Sequence, residues 1–330
     1  MKLSKKTIIQ LTILAVVAMI PLVLDNDYYL DMIINIFLWA LLAGAWNLTA
    51  GYGGLLSLGH AAFLGIGAYT STILFVKMGV SPWIGMLAGG LLASAVGVLL
   101  GYLTIRLKGP FFSLATLAFA EIMTIIAVNA RGLTRGSEGI SVPFKPSFAN
   151  LVFQGKIEYF YIGLVLCLIP IFIAKYLEHS KIGYYLMAIR EDEVAAKSLG
   201  VKSVRVKLIV TAVGTFLTAV GGTFYAQYIA FIDPYYIFSV GLSTQIALMA
   251  IIGGMGTPFG PVLGAILISF ASSYLRSALG SAQAGVHMIV YGLLLVVIVI
   301  LIPHGLISLT QRKWKKQAAN KGGDKTIVKN

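Results

Sequence analysis

The charged groups of this 330-residue chain are concentrated in one internal segment, residues 181–207, which lies between two strongly apolar stretches. The segment carries both signs of charge at short spacing, on Lys181, Arg190, Glu191, Asp192, Glu193, Lys197, Lys202, Arg205 and Lys207. A charge at the centre of a bilayer costs about 3 kcal/mol on insertion scales, so this segment must stand in water beside the membrane. We therefore interpret it as a docking site for a soluble partner protein.

The rest of the sequence contains no motif for covalent catalysis, metal binding or nucleotide binding. There is no G-x-x-x-x-G-K-[S/T] motif, so the chain has no P-loop for ATP. No histidine, cysteine or acidic cluster has metal-ligand spacing, and no serine, histidine and aspartate arrangement indicates a nucleophile. Cys167 is the sole cysteine, which excludes an intrachain disulfide. We expect neither an enzyme nor a bound cofactor.

One carboxyl group stands apart, because Glu121 is the only acidic residue expected deep within an apolar span. An ionisable group at that depth is costly and suggests a function. Glu121 could bind a substrate ammonium, relay a proton, or form a hydrogen bond with Asn129, Thr124 or a neighbouring helix. For Glu121 a structural role is as well supported as a role in transport. His60 and Asn47 pose the same choice, and for them the structural role is favoured.

The elements that must position these groups are membrane-spanning helices. Hydrophobic residues make up 58% of the chain and charged residues only 11%, whereas soluble domains carry about 25% charged residues. Apolar stretches of about twenty residues, the length of a transmembrane helix, recur throughout. We predict an all-α, polytopic membrane protein with about ten spans, at residues 7–24, 30–50, 55–76, 82–105, 111–130, 158–178, 207–231, 239–255, 260–276 and 285–303.

Two short glycine-rich connections, 51–54 and 253–260, suggest broken or re-entrant helices, which membranes tolerate only where protein or a cavity surrounds the backbone. The pair Gly53 and Gly54 recurs as Gly253 and Gly254, which hints at an internal duplication of the kind that transporters use. Tight helix packing is the simpler explanation for most of these glycines.

Basic residues set the expected orientation, because they are enriched in cytoplasmic loops. With the N-terminus inside, most of the 25 lysines and arginines fall on the cytoplasmic side. Both termini are therefore expected in the cytoplasm. Residues 1–310 would form the transmembrane domain, with the loop 179–207 facing the cytoplasm, and residues 311–330 a basic cytoplasmic tail. The net charge of +13 is then explained without a nucleic-acid partner.

Within the charged loop, residues 188–199 predict one short helix. Its acidic residues fall in the first turns and Lys197 near the end, an order that complements the helix dipole. Glu193 and Lys197 have the spacing of an i,i+4 ion pair, and Gly200 is a natural C-terminal stop. Such a helix is too short to be stable alone, so it needs a surface to lie against.

An apolar edge on this helix would consist of Ile189, Ala196 and Leu199.

Residues 183–201 (GYYLMAIREDEVAAKSLGV) resemble the ATPase-coupling loop of bacterial ATP-binding cassette importer permeases, in particular those for branched-chain amino acids. The general importer pattern is Glu-Ala-Ala, three residues, Gly. The chain keeps the two alanines and the glycine, but Val194 stands in place of the glutamate.

Four further stretches are similar to the same family: residues 51–69 (GYGGLLSLGHAAFLGIGAY), 109–121 (GPFFSLATLAFAE), 134–139 (TRGSEG) and 251–260 (IIGGMGTPFG). The resemblance runs from about residue 28 to 305 and is closest to the M-type permease subunit. It implies a homologous H-type permease subunit, separate ATPase subunits and an extracytoplasmic substrate-binding protein as partners.

The resemblance and the chemistry of the residues together give candidate residues for each partner and for the substrate. The ATPase-coupling residues would be Arg190, Glu191, Asp192, Glu193, Ala195, Ala196, Leu199 and Gly200. The substrate pathway would include Gly53, Gly54, Ser57, His60, Glu121, Gly253 and Gly254. The outer connection, about residues 131–157, would meet the binding protein through Arg135, Ser137 and Glu138.

We therefore expect a permease subunit of the bacterial cytoplasmic membrane that imports leucine, isoleucine and valine by alternating access, driven by a separate ATPase. Urea or another small amide or amino acid is an alternative substrate. An ion-coupled secondary transporter using Glu121 is an alternative of another class, although it leaves the charged cytoplasmic segment unexplained. An intramembrane enzyme lacks a credible set of catalytic groups.

Overall fold

The computed structural model describes residues 5–23, 26–105 and 110–279, together with residues 292, 300 and 305–307. The first half of the chain forms α1 (Lys5–Val23), α2 (Asp27–Asn47), a π-helix (Leu48–Tyr52), α3 (His60–Met78), α4 (Pro82–Thr104), α5 (Pro110–Asn129) and α6 (Arg131–Thr134). The second half forms α7 (Ile157–Glu178), α8 (Lys181–Glu191), α9 (Glu193–Ser198), α10 (Ser203–Ile229), α11 (Pro234–Ile237), α12 (Val240–Gly254) and α13 (Gly260–Leu279).

Seven helical stretches in the described ranges are long and apolar enough to cross a membrane: Asp27–Tyr52, His60–Met78, Pro82–Thr104, Pro110–Asn129, Ile157–Glu178, Ser203–Ile229 and Pro234–Gly254. They correspond to the second to eighth predicted spans, which confirms a multi-pass helical membrane protein. The apolar part of α13, Gly260–Tyr274, is shorter than a full span. The predicted tenth span, 285–303, and the tail, 311–330, lie outside the described residues apart from 292 and 300.

The predicted third span, 55–76, begins too early, because α3 starts only at His60. Residues 54–59 are non-helical, and side chains of α5 satisfy their backbone. Leu58 N–H donates to Thr116 Oγ1 at 3.0 Å, and Ser113 Oγ donates to the Leu56 carbonyl at 2.6 Å. Non-helical backbone within a membrane protein requires such protein partners, and the expected interruption of the helices after residue 51 is thereby explained.

Helices α3, α4 and α10 pack tightly against one another because glycines line their contacts. A Cβ on Gly67 would collide with the backbone of Ala219, and one on Gly222 with the carbonyl of Leu64. Close approach of backbones at small residues is the usual mode of helix packing in membranes. Helix α2 contacts α7, α10, α12 and α13, and it therefore connects the two halves of the molecule.

The outer connection after α5 is ordered by short elements. It contains 3₁₀ turns at Gly136–Glu138 and Phe148–Asn150, and strand β1 (Ile140–Ser141). Strand β1 pairs antiparallel with β2 (Phe231–Ile232), with Ile140 opposite Ile232. The two-residue ladder ties this connection to the end of α10, within an otherwise helical fold.

Candidate functional site

The predicted coupling segment forms two helices, α8 and α9, rather than the single helix expected over 188–199. The chain breaks at Asp192, which is extended (φ −152°, ψ 109°), and the Asp192 carboxylate caps α9. Asp192 Oδ1 accepts hydrogen bonds from the backbone N–H groups of Val194 and Ala195, at 2.8 and 3.0 Å. Aspartate is among the preferred N-cap residues, and here the cap outweighs continuation of α8. Gly200 follows α9 at φ +86°, which confirms the expected glycine stop.

Glu193 fastens α9 to the first turns of α10. The predicted ion pair with Lys197 is present at 2.9 Å, and two groups of α10 join it. Lys207 Nζ lies 2.7 Å from Glu193 Oε2, and Ser203 Oγ donates to Oε1 at 3.0 Å. Partial burial raises the pKa of Glu193, but hydrogen bonds from Lys207, Lys197 and Ser203, with the charge of Lys207, outweigh it and lower the pKa to about 2.

The apolar residues of this helix pair divide between two sides. Ile189 and Ala196 are buried against the body of the protein, whereas Leu199 is 86% exposed and Val194 is 74% exposed. The expected common edge of Ile189, Ala196 and Leu199 is therefore wrong for Leu199, which follows α9 and is exposed, while Ile189 and Ala196 are both buried. The exposed residues that remain form what we call the coupling surface: Arg190, Glu191, Asp192, Val194, Ala195, Leu199 and Gly200.

Two glycine-rich loops meet near α8. The first glycine loop (residues 48–59) contains the π-helix and the extended residues after it, and the second glycine loop (residues 255–259) joins α12, which ends at Gly254, to α13. Asn47 bridges them, since its Nδ2 donates to the Thr257 carbonyl at 3.0 Å and its Oδ1 accepts from the Gly256 N–H at 2.7 Å. The structure thus places the loop that holds Gly53 and Gly54 against the loop that follows Gly253 and Gly254, which themselves end α12.

The end of α7 and the end of α8 contact both glycine loops. Tyr52 donates a hydrogen bond to Glu178 Oε1 at 3.2 Å, and Lys175 Nζ lies 4.8 Å from the centroid of the Phe259 ring. A Cβ on Gly256 would lie 3.1 Å from Arg190 Nη1, so the guanidinium group rests against this loop. No local pattern in the sequence marks Tyr52, Glu178 and Thr257, because they contact residues more than a hundred positions away in the chain.

Ser57 and His60 are buried beside a small cavity between α3, α4, α5 and α10. His60 is fully buried, and both of its ring nitrogens lack a hydrogen-bond partner among the described residues. The hydroxyls of Ser57 and Thr49 are likewise buried without a described partner. In this conformation the two predicted pathway residues are therefore shielded from the surface.

Glu121 faces outward from α5, the least buried of the seven apolar helical stretches, with 22% of its apolar window inside the protein. Its predicted partners make other bonds: Thr124 Oγ1 donates to the Ala120 carbonyl, and Asn129 Nδ2 to the Ile125 carbonyl. The described part of the chain offers Glu121 no hydrogen bond or ion pair. The structure therefore separates Glu121 from Ser57, His60 and the glycine loops.

Arg135, Ser137 and Glu138 are exposed together on the outer connection. A tight turn holds them there, with Arg135 and Gly136 at φ of 63° and 62°. The Thr134 hydroxyl, which donates to the carbonyls of Ala127 and Ala130, anchors this turn to the end of α5. The geometry leaves the three side chains available for a partner.

The described residues contain no group of three potential metal ligands.

Comparisons with known proteins agree with these features. A family model described as the branched-chain amino acid transport system permease component matches residues 28–299. The chain is 31% identical over 300 residues to the high-affinity branched-chain amino acid transport system permease protein LivM of Escherichia coli (strain K12), covering 84% of this chain and 69% of the relative. It is 26% identical over 287 residues to the LivH permease protein of the same organism, covering 82% of this chain and 91% of that relative.

A probable LivM permease protein of Methanocaldococcus jannaschii is 25% identical over 230 residues, which is 66% of each chain. No solved structure matches. The family model covers most of the residues that the structure describes, including α2, both glycine loops and the coupling surface. The chain belongs to the family of branched-chain amino acid transport system permease components.

Proposed function

We propose that this chain is the membrane-spanning permease subunit of an ATP-driven importer for leucine, isoleucine and valine. The observation that carries the proposal is the exposed helix pair α8–α9, fastened between α7 and α10 in a chain that belongs to a transport-permease family. The chain has no P-loop motif, so ATP hydrolysis would take place in a separate subunit.

The ATPase would act on the coupling surface. Leu199 and Val194 offer apolar anchors, and the charged residues around them offer complementary ion pairs. Because Glu193 fastens α9 to α10, and α8 follows α7 after two residues, a displacement of the helix pair would pass directly to two spans. Rigid-body movement of such spans is the usual way in which a cavity changes its side of access.

Glu121 would face a second permease subunit and the route of the substrate. An exposed carboxylate on an apolar helix is unfavourable against lipid hydrocarbon, and polar groups at that depth face protein or water. A substrate path along α5, between two permease subunits, would surround the carboxylate with protein and water. The carboxylate could then bind the ammonium group of a passing amino acid.

The family and the distribution of basic residues indicate the other partners of the chain and the membrane in which it lies. We place the chain in the bacterial cytoplasmic membrane with both termini in the cytoplasm, because most basic residues then lie inside. The exposed turn at Arg135, Ser137 and Glu138 would face outward and receive a substrate-binding protein. The LivH-like relatives suggest a homologous second permease as the other half of the pore.

The proposal is tested by reconstituting the complex of this chain with its ATPase, second permease and binding protein in proteoliposomes. We expect uptake of radiolabelled leucine that requires ATP and all partners and that unlabelled isoleucine and valine inhibit. Uptake by the purified chain alone under a proton or sodium gradient would instead support a secondary transporter. Inhibition by urea or another amide, but not by isoleucine or valine, would reassign the substrate.

A further inference from the structure

We propose that Asn47 is a positioning residue that makes the two glycine loops move as one body, so that a push on α8 reaches both halves of the permease. The inference rests on the proposed function, because it concerns how the stroke of the ATPase is transmitted. Asn47 lies at the end of α2, and its side chain is 1% exposed.

The bridge through Asn47 is specific in geometry. The amide nitrogen and oxygen are both used, on the adjacent residues Thr257 and Gly256, more than two hundred positions away in the chain. The backbone is also in close contact here, because a Cβ on Gly51 would lie 2.6 Å from Gly256 N. A buried amide that loses its partners is strongly penalised, so the two loops are held in one relative position.

The end of α7 and Arg190 of the coupling surface touch the two loops at different residues. Glu178 reaches the first glycine loop through Tyr52, whereas Lys175 and Arg190 contact the second at Phe259 and Gly256. Each loop continues into different spans: the first joins α2 to α3, and the second joins α12 to α13. Without the bridge, the two loops would lose their direct polar link, and only packing, chiefly of α2 against α12 and α13, would couple the movements of these two pairs of helices.

Asn47 is therefore expected to determine how much transport follows from each ATP hydrolysed. The side chain touches neither the coupling surface nor Glu121, so its loss should leave ATPase docking intact. Hydrolysis would continue, but the two halves of the permease would no longer rearrange together. The result that distinguishes this role from ordinary packing is continued ATP hydrolysis with little leucine import, and not a loss of both activities.

The test uses the whole reconstituted complex and measures ATP hydrolysed per leucine imported. Asn47→Leu keeps the approximate shape and removes both hydrogen bonds, so we expect the ratio to rise about tenfold, as the loss of two buried hydrogen bonds allows. Asn35→Leu is the matched control, because the Asn35 amide lies on the same helix and donates only to the Asp31 carbonyl one turn away. The control should keep the wild-type ratio.

Asn47→Asp provides a second measurement should Asn47→Leu fail to assemble. A carboxylate retains the acceptor for the Gly256 N–H but loses the donor to Thr257, so the ratio should again rise. An assembled variant with the wild-type ratio would overturn the inference. Failure of both Asn47 variants to assemble, while Asn35→Leu assembles, would also overturn it, since Asn47 would then serve folding.

The wild-type complex separates this inference from the function on which it rests. Import of leucine by the wild-type complex with ATP supports the proposed function whatever the Asn47 variants do. Absence of ATP-dependent import in the wild-type complex would overturn the proposed function, and the inference would fall with it.

Discussion

Among single residues, Glu193 has the most defined role in positioning the coupling surface. It pairs with Lys197 on its own helix and with Lys207 and Ser203 on α10, so one carboxylate fixes the short helix α9. A six-residue helix has little stability of its own, and its orientation depends on such tertiary bonds.

The pH dependence of this anchor follows from the lowered pKa of Glu193. The pKa falls from an ordinary 4.5 to about 2 in the folded protein, so the stabilisation is complete above pH 4.5 and is lost as the pH falls towards 2. We expect Glu193→Gln to lower stability at pH 7 by less than about 1 kcal/mol, because the carboxylate is partly exposed and solvent screens it.

The stability of the two proteins is compared by thermal unfolding of the purified chain in detergent between pH 3 and 8. The difference between wild type and Glu193→Gln should shrink below pH 4.5. Glu191→Gln changes a neighbouring exposed carboxylate and serves as the control. A difference that grows as the pH falls would contradict the assignment.

Glu121 differs from Glu193 in having no partner among the described residues. If it contacts substrate or the second permease, Glu121→Gln should lower leucine uptake about tenfold or more, because a hydrogen bond to a charged group contributes about 1.5–3 kcal/mol. Glu121→Asp retains the charge and should retain more uptake. Full uptake by the reconstituted Glu121→Gln complex would remove this carboxyl from the mechanism.

At the scale of elements, the close packing of α3, α4 and α10 fixes the position of α10, to which α9 is bonded. Gly67 and Gly222 allow backbone contact between α3 and α10 that no larger residue would permit. Helix α10 also carries Lys207 and Ser203, which hold α9. The glycines therefore contribute to the position of the coupling surface without touching it.

This role predicts unequal effects of two alanine substitutions. Gly67→Ala should destabilise the protein by about 1–3 kcal/mol, because its Cβ would strike the backbone of Ala219. Gly132→Ala should be tolerated, since nothing lies within 4 Å of that Cβ position. Unfolding of the purified variants in a denaturing detergent measures both. Equal stability of the two variants would contradict the packing described here.

At the scale of the whole molecule, α7 separates the exposed turn at Arg135, Ser137 and Glu138 from the coupling surface along the chain. Helix α7 has 22 residues, about the length that spans a membrane, and it lies between the outer connection and α8 in the chain. The proposed orientation therefore makes opposite predictions for Leu199 and Ser137.

Cysteine labelling with a membrane-impermeant maleimide tests this orientation. Leu199→Cys should react in inside-out vesicles only, and Ser137→Cys in intact spheroplasts only. The native Cys167 is buried and should react in neither, which makes the wild-type chain the control. Labelling of the two cysteines from the same side would mean that α7 does not cross the membrane. Reversed labelling would invert the proposed orientation.

The sequence by itself determined the class of the protein, seven of its apolar spans and the position of the charged loop between α7 and α10. These features are local, because the length of an apolar stretch and the charge of a loop depend on neighbouring residues alone. The Glu193–Lys197 pair and the Gly200 stop were predictable for the same reason, since both depend on helical spacing.

Only the tertiary structure decided the break at Asp192, the anchor of Glu193 on Lys207, the outward position of Glu121 and the bridge from Asn47 to the second glycine loop. Each depends on which surfaces meet after the helices pack. At Asp192 an N-cap replaces the next turn of α8, and the bonds of Glu193 to α10 then hold α9 in its orientation. The contacts of Asn47 with Gly256 and Thr257 join residues about two hundred positions apart, and no local sequence pattern predicts contacts of that kind.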